Sequence, residues 1–286
     1  MKRIVVLFLF FIAMIPSFGQ QGGLYPDQLS SCFFNFSSIN PAYIQQEGNS
    51  EAIVQSKLRS GFYKDISTIS ASAQKVFNTQ NNQWHSGRIL LQNEKEGPYI
   101  STPRFYGNYG IRIGMGENTA LMGGVSLGLV NPNFRTPTKS VSSTLLDGAL
   151  GIMFQSTKVT AGFSSSQIFN SSSDNSRFVS LKRFYSTQLN AVLFESAQAE
   201  VHSYFLWTYY TDISSQFNGV VSMVWNDWLE VGGGYRIRQG ALFLASITLD
   251  KTSLHPIRMG LLYNSVILNT TNMLGESIEI TLSYSY

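Results

Sequence analysis

Charge is scarce in this chain: Asp, Glu, Lys and Arg make up 13% of its 286 residues, against ~25% in ordinary soluble domains. The formal net charge of +3 is too small and too scattered to argue for a nucleic-acid partner, and none is expected. A single cysteine, Cys32, excludes an internal disulfide and reads as a small buried hydrophobe. After the first twenty residues, no apolar run reaches the ~20 residues that a spanning helix needs. Catalytic signatures are missing as well. None of the three histidines, His85, His202 and His255, sits in a nucleophile context. No His, Cys, Asp or Glu cluster has metal-ligand spacing. The glycines of "GMGENTALMGG" lack the GKS of a phosphate loop and predict a hairpin instead. The trio Glu94, Lys95 and Glu96 before Gly97-Pro98 reads as a solvated turn. No catalytic, cofactor or metal site is expected.

What is present begins with "MKRIVVLFLFFIAMIPSFG": a basic start at Lys2 and Arg3, an apolar run, a Pro16 break and small residues at Ser17 and Gly19. This predicts a signal peptide over 1–19, cut before Gln20. No cysteine stands at that cut, so no lipid-modified terminus is expected.

Aromatics reach 13% and glycine 24 residues, while mean hydropathy is near zero. That balance suits strands with one polar and one lipid-facing side. In "SIEITLSYSY" the residues Ile278, Ile280, Leu282, Tyr284 and Tyr286 share one face, and Ser277, Glu279, Thr281, Ser283 and Ser285 share the other. The pattern recurs with Leu229, Val231, Tyr235 and Ile237 against Glu230, Arg236 and Arg238, and with Phe243, Ala245, Ile247 and Leu249 against Ser246 and Thr248. Tight hairpins are expected at Asn226-Asp227, Gln239-Gly240 and Ser156-Thr157. The polar stretches "NPNFRTPTKSVSS" and "NSSSDNSRF" read as loops at the opposite end. Trp207, Tyr209, Tyr210, Trp225 and Trp228 read as an interfacial girdle. A soluble β-sandwich also alternates; the girdle, the leader and the aromatic C-terminus favour a transmembrane antiparallel β-barrel. About 14 strands, from 50–59 to 277–286, fit an outer-membrane barrel.

Ahead of these strands stands "CFFNFSSINPAYIQQ". Pro41 fixes its own φ and biases Asn40 away from helix. Tyr43 can bury its ring while its hydroxyl finds a partner. The expected organisation is therefore a leader (1–19), an amino-terminal plug-like segment (20–48) at the periplasmic mouth or lumen, and a barrel (49–286). Phe33, Phe34, Asn35, Phe36, Asn40, Pro41, Ala42 and Tyr43 are the candidate plug or partner-binding residues, and Tyr284 and Tyr286 the candidate assembly signal.

The pair Phe34-Asn35 followed by Ile39-Asn40-Pro41-Ala42-Tyr43 resembles the opening motif of the PorP/SprF family of Bacteroidota outer-membrane proteins. Gly97-Pro98 before Phe105 and Tyr106, the stretch "YGIRIGMGENTALMGGVSLGL" and the closing "ESIEITLSYSY" agree in order with that family. Ile44-Gln45 replaces its usual small pair. The resemblance implies a non-enzymatic component of type IX secretion and gliding, set in outer-membrane lipid. The implied partners are type IX secretion components and a secreted cargo or adhesin C-terminal domain, which it would help to export or anchor. A passive channel or small-molecule transporter, needing the same polar lumen, is the second reading.

Overall fold

The computed structural model describes residues 24–34, 36–44, 50–61, 64–79, 83–116, 118–173, 176–237, 240–249, 256–265 and 276–285. The predicted leader, Asn35, Arg238, Gln239, His255 and Tyr286 lie outside the described residues.

Fourteen long strands form the wall: β1 (Ser50–Arg59), β2 (Ile66–Thr79), β3 (Gln83–Glu96), β4 (Ile100–Gly114), β5 (Ala120–Val130), β6 (Leu145–Gln155), β7 (Val159–Ser166), β8 (Phe184–Glu195), β9 (Ala199–Tyr210), β10 (Gln216–Trp225), β11 (Leu229–Arg236), β12 (Gly240–Leu249), β13 (Ile257–Ser265) and β14 (Ser277–Ser285). Each pairs antiparallel with the next, and β1 pairs with β14 from Glu51 opposite Ser285 to Arg59 opposite Ser277. The sheet is therefore closed, which removes the free edges that an open sheet would expose. This is the expected all-β barrel.

Period-two alternation sets the two faces of the wall. Along β14, Ile278, Ile280, Leu282 and Tyr284 are exposed on the outside, while Ser277, Glu279, Thr281 and Ser285 are buried inside. In β11, Glu230 and Arg236 likewise point inward. The connections differ between the two ends. Those at 115–119, 156–158, 196–198 and 226–228 are short, whereas 131–144 and 167–183 at the other end are long. Asn226 and Asp227 have φ of 45° and 56°, the left-handed pair that a tight hairpin following the strand twist requires.

Four expectations need correction. The stretch "NPNFRTPTKSVSS" carries a small hairpin, Asn133–Arg135 with Ser140–Ser142, which extends the sheet beside β4. "NSSSDNSRF" carries the paired strands Ser172–Ser173 and Ser176–Ser180. Glu94 is no solvated turn residue: it points inward, 2% exposed, and pairs with Arg104. Trp207, Tyr209, Trp225 and Trp228 do face outward, but Tyr210 is buried and turned in.

Candidate functional site

The barrel is filled by its own chain: residues 24–34 and 36–44 run through the lumen from the long-loop end to the short-turn end. At the long-loop end, the Leu24 amide donates to the Ser180 carbonyl at 2.8 Å, and Gln167 donates to the Leu24 carbonyl at 2.9 Å. The Tyr25 ring lies 4.6 Å from that of Tyr210 and 5.9 Å from that of Phe184, and its hydroxyl donates to Asp212. Burial, then that hydrogen bond, pushes the phenol up to about 12.

Asp27 is the polar anchor. Its Oδ1 accepts from Lys57 at 3.0 Å and from Arg59 at 3.4 Å, and its Oδ2 accepts from Thr68 at 3.0 Å. Its amide donates to Glu94 at 3.0 Å. Burial opposes ionisation, but Lys57 and Arg59 outweigh it and hold the carboxyl below the usual carboxylate range. Lys57 also lies 3.7 Å from Glu279, which accepts from the Ser31 amide at 2.9 Å. Because Lys57 belongs to β1 and Glu279 to β14, the segment is tied to both strands of the closing seam.

Midway, a short 3-10 turn over Ser30–Phe33 presents Cys32 and Phe33 to Leu206, Val220, Leu242, Leu244 and Leu262. Cys32 is fully buried, and burial pushes its thiol up to about 12. The Phe34 ring carries the Arg258 guanidinium 4.7 Å from its centroid. That ring packs on Gly260, where a Cβ would come within 2.6 Å of it. Phe36 packs against Tyr204 and Tyr43 at ring distances of 6.3 and 6.1 Å.

Nearer the short-turn end, Asn40-Pro41-Ala42 lies in a trough of glycines. Gly110, Gly124 and Gly151 stand opposite one another on β4, β5 and β6. A Cβ on Gly124 would overlap the Pro41 carbonyl and the Ala42 amide, and one on Gly151 would overlap the Asn40 side chain. The Asn40 amide donates to the carbonyls of Ile152 and Phe163 at 3.3 and 3.2 Å, while its oxygen accepts from the Ala42 amide at 2.9 Å. That Asx turn and the fixed φ of Pro41 hold the backbone close to the wall. Ala42 and Ile44 then pack with Val76, Met122 and Met153, and Gln74 donates to the Tyr43 carbonyl at 3.4 Å.

The structure thus brings Phe33, Phe34, Asn40, Pro41, Ala42 and Tyr43 together inside the barrel. Tyr284 is separate, on the outer wall opposite Ala52. Sequence reasoning missed Asp27, Ser31 and the glycine trough. The signal that would have found the trough is glycine at inward positions of three consecutive strands, which marks close backbone approach. The two described histidines, His85 and His202, do not converge. His85 lies on the outer wall beside Tyr109, and His202 is inward, 3.1 Å from Glu200 and stacked on Tyr204. Among the described residues no three His, Cys, Asp or Glu side chains could share a metal ion.

A closed wall with apolar side chains outward and ionised ones inward needs hydrocarbon as its outer solvent, and an outer membrane provides it. The molecule is accordingly an integral outer-membrane β-barrel. With an even strand count, the short-turn end is periplasmic and the long-loop end extracellular. More narrowly, the chain belongs to the PorP/SprF family of type IX secretion system membrane proteins, whose sequence model matches residues 22–284. Among curated protein sequences no significant match is found.

The barrel is similar in fold to solved outer-membrane proteins of low identity. A Pseudomonas aeruginosa FadL homologue is 11% identical with a TM-score of 0.52, covering 93% of this chain and 95% of that one. The P. putida toluene transporter TodX is 9% identical with a TM-score of 0.56, covering 86% and 92%. The Ralstonia pickettii toluene transporter TbuX is 9% identical with a TM-score of 0.56, covering 94% and 96%.

Proposed function

We propose that this barrel is a non-enzymatic docking unit of the type IX secretion system that helps to export cargo proteins or hold them at the cell surface. The observation that carries the reading is the occupied lumen. A barrel whose interior is threaded by its own residues, tied at both ends, is built to hold position rather than to conduct. In this reading residues 1–19 are removed on export, residues 20–48 act as a plug, and Tyr284 and Tyr286 serve as the assembly signal. The extracellular connections and the Tyr25 end of the segment meet a cargo or adhesin C-terminal domain, and the periplasmic mouth near Tyr43 meets other secretion components.

Cross-linking in native outer membranes, followed by affinity capture and mass spectrometry, tests the docking role. The expected result is a secreted surface protein and type IX components among the cross-linked species. Capture of neither contradicts it. A second reading, small-molecule passage, is favoured by a cavity of about 90 Å³ between Pro26, Ser37 and Ile39 of the segment and Arg104, Tyr106 and Asp147 of the wall. It also accords with the toluene transporters that share the fold.

A further inference from the structure

Among the described strands, Lys75 is the one charged side chain turned to the outer wall more than two residues from a strand end. No acidic group pairs with it among the described residues, and its ammonium lies 5.9 Å from the centroid of the neighbouring Phe77 ring. An ammonium facing hydrocarbon is costly, so such a residue reaches for the interface and for an anion there. Lys75 is four residues before Thr79, the last residue of β2 at the periplasmic end.

The wall beside it is hollowed. Lys75 stands opposite Gly87, Gly87 opposite Tyr109, and Tyr109 opposite Val125. One row further from the periplasm, Ile89 stands opposite Gly107 and Gly107 opposite Leu127. A Cβ on Gly87 or Gly107 would meet nothing within 4 Å. These glycines therefore serve no close packing inside the protein; they open a trough of about 740 Å³ that has Lys75 on its rim and Tyr109, Val125 and Leu127 along its sides. The Tyr109 hydroxyl is held by a hydrogen bond to His85 Nδ1 at 2.5 Å.

We propose that this trough binds an anionic glycerophospholipid of the periplasmic leaflet, with its phosphate on Lys75 and one acyl chain laid over Gly87 and Gly107. One molecule supplies both complements: negative charge at the leaflet surface for the unpaired ammonium, and a flexible hydrocarbon chain for the apolar hollow. A protein segment would bring a row of backbone polar groups into a hollow whose surface is mostly apolar, where most of them would find no partner.

Native mass spectrometry of the full-length protein, released from detergent with added phosphatidylglycerol, tests the site. The wild type should retain one lipid, and Lys75→Gln or Gly107→Leu should each lower retention about fivefold or more. A heat-modifiable band on gels shows that each variant is folded. Phosphatidylcholine should be retained less than phosphatidylglycerol, and inorganic phosphate should not compete. Equal retention by Lys75→Gln and wild type overturns the proposal, as does full retention by folded Gly107→Leu or displacement of the lipid by inorganic phosphate.

Discussion

Gly124 on β5 lies directly against the Pro41-Ala42 peptide bond, with no space for a side chain between wall and segment. A Gly124→Val substitution should therefore unseat the segment at a cost of about 1–3 kcal/mol, the usual range for overpacking a filled site. Limited proteolysis of the purified barrel should cut residues 36–44 faster in this variant. Gly219, where a Cβ would meet nothing within 4 Å, provides the control, and Gly219→Ala should leave the cleavage rate unchanged.

Asn40 satisfies two wall carbonyls and its own turn with one side chain. Asn40→Ala should weaken docking by about 1–3 kcal/mol, the cost of leaving buried partners unsatisfied. Asn40→Asp should do at least as much harm, since the Nδ2 donor is lost and a charge is buried in its place. Protease sensitivity of the segment distinguishes both variants from wild type.

The Asp27 contacts make docking dependent on pH in a defined direction. Its carboxyl is held below the ordinary value when the segment is docked, so its contribution is complete above the ordinary value of about 4 and is lost as pH falls through the lowered value. Lys57, Arg59 and Thr68 face this group, and Glu94 accepts from its amide. With Tyr25→Cys as the reporter, labelling by maleimide at that position should rise after brief acid treatment. In Asp27→Asn that acid step should be much reduced.

Lys57 is shared between Asp27 and Glu279, and it is buried. Lys57→Met leaves two carboxylates without their common cation, a change worth about 3–5 kcal/mol for a buried pair. The temperature at which the folded gel band is lost should drop accordingly. The double variant with Asp27→Asn should recover part of the loss.

Cys32 combines complete burial with a thiol pushed up to about 12. In the folded barrel it should resist thiol reagents for hours, then react at once after denaturation. Rapid labelling of the folded protein would place the segment outside the lumen.

The alternation of β14 and β11 made the wall legible in the sequence, and Asn40-Pro41-Ala42-Tyr43 marked where the chain turns beside it. The limits came from the same rule. Period-two reading assumes a polar inside, yet Leu206, Val220, Leu242 and Leu244 point inward because Cys32 and Phe33 pack on them. Glu94 and Tyr210 were misread for a related reason: their partners, Asp27 and Tyr25, lie far away in the chain and meet them only inside the closed barrel. The trough glycines carry no side-chain signal at all, and their meaning emerges only when strand register aligns them.

Single-channel recording in planar bilayers tests most directly whether the lumen is a seat rather than a passage. The full chain should show no steady conductance, and a variant lacking residues 24–40 should open a pore. Steady, large conductance from the intact protein would contradict the account.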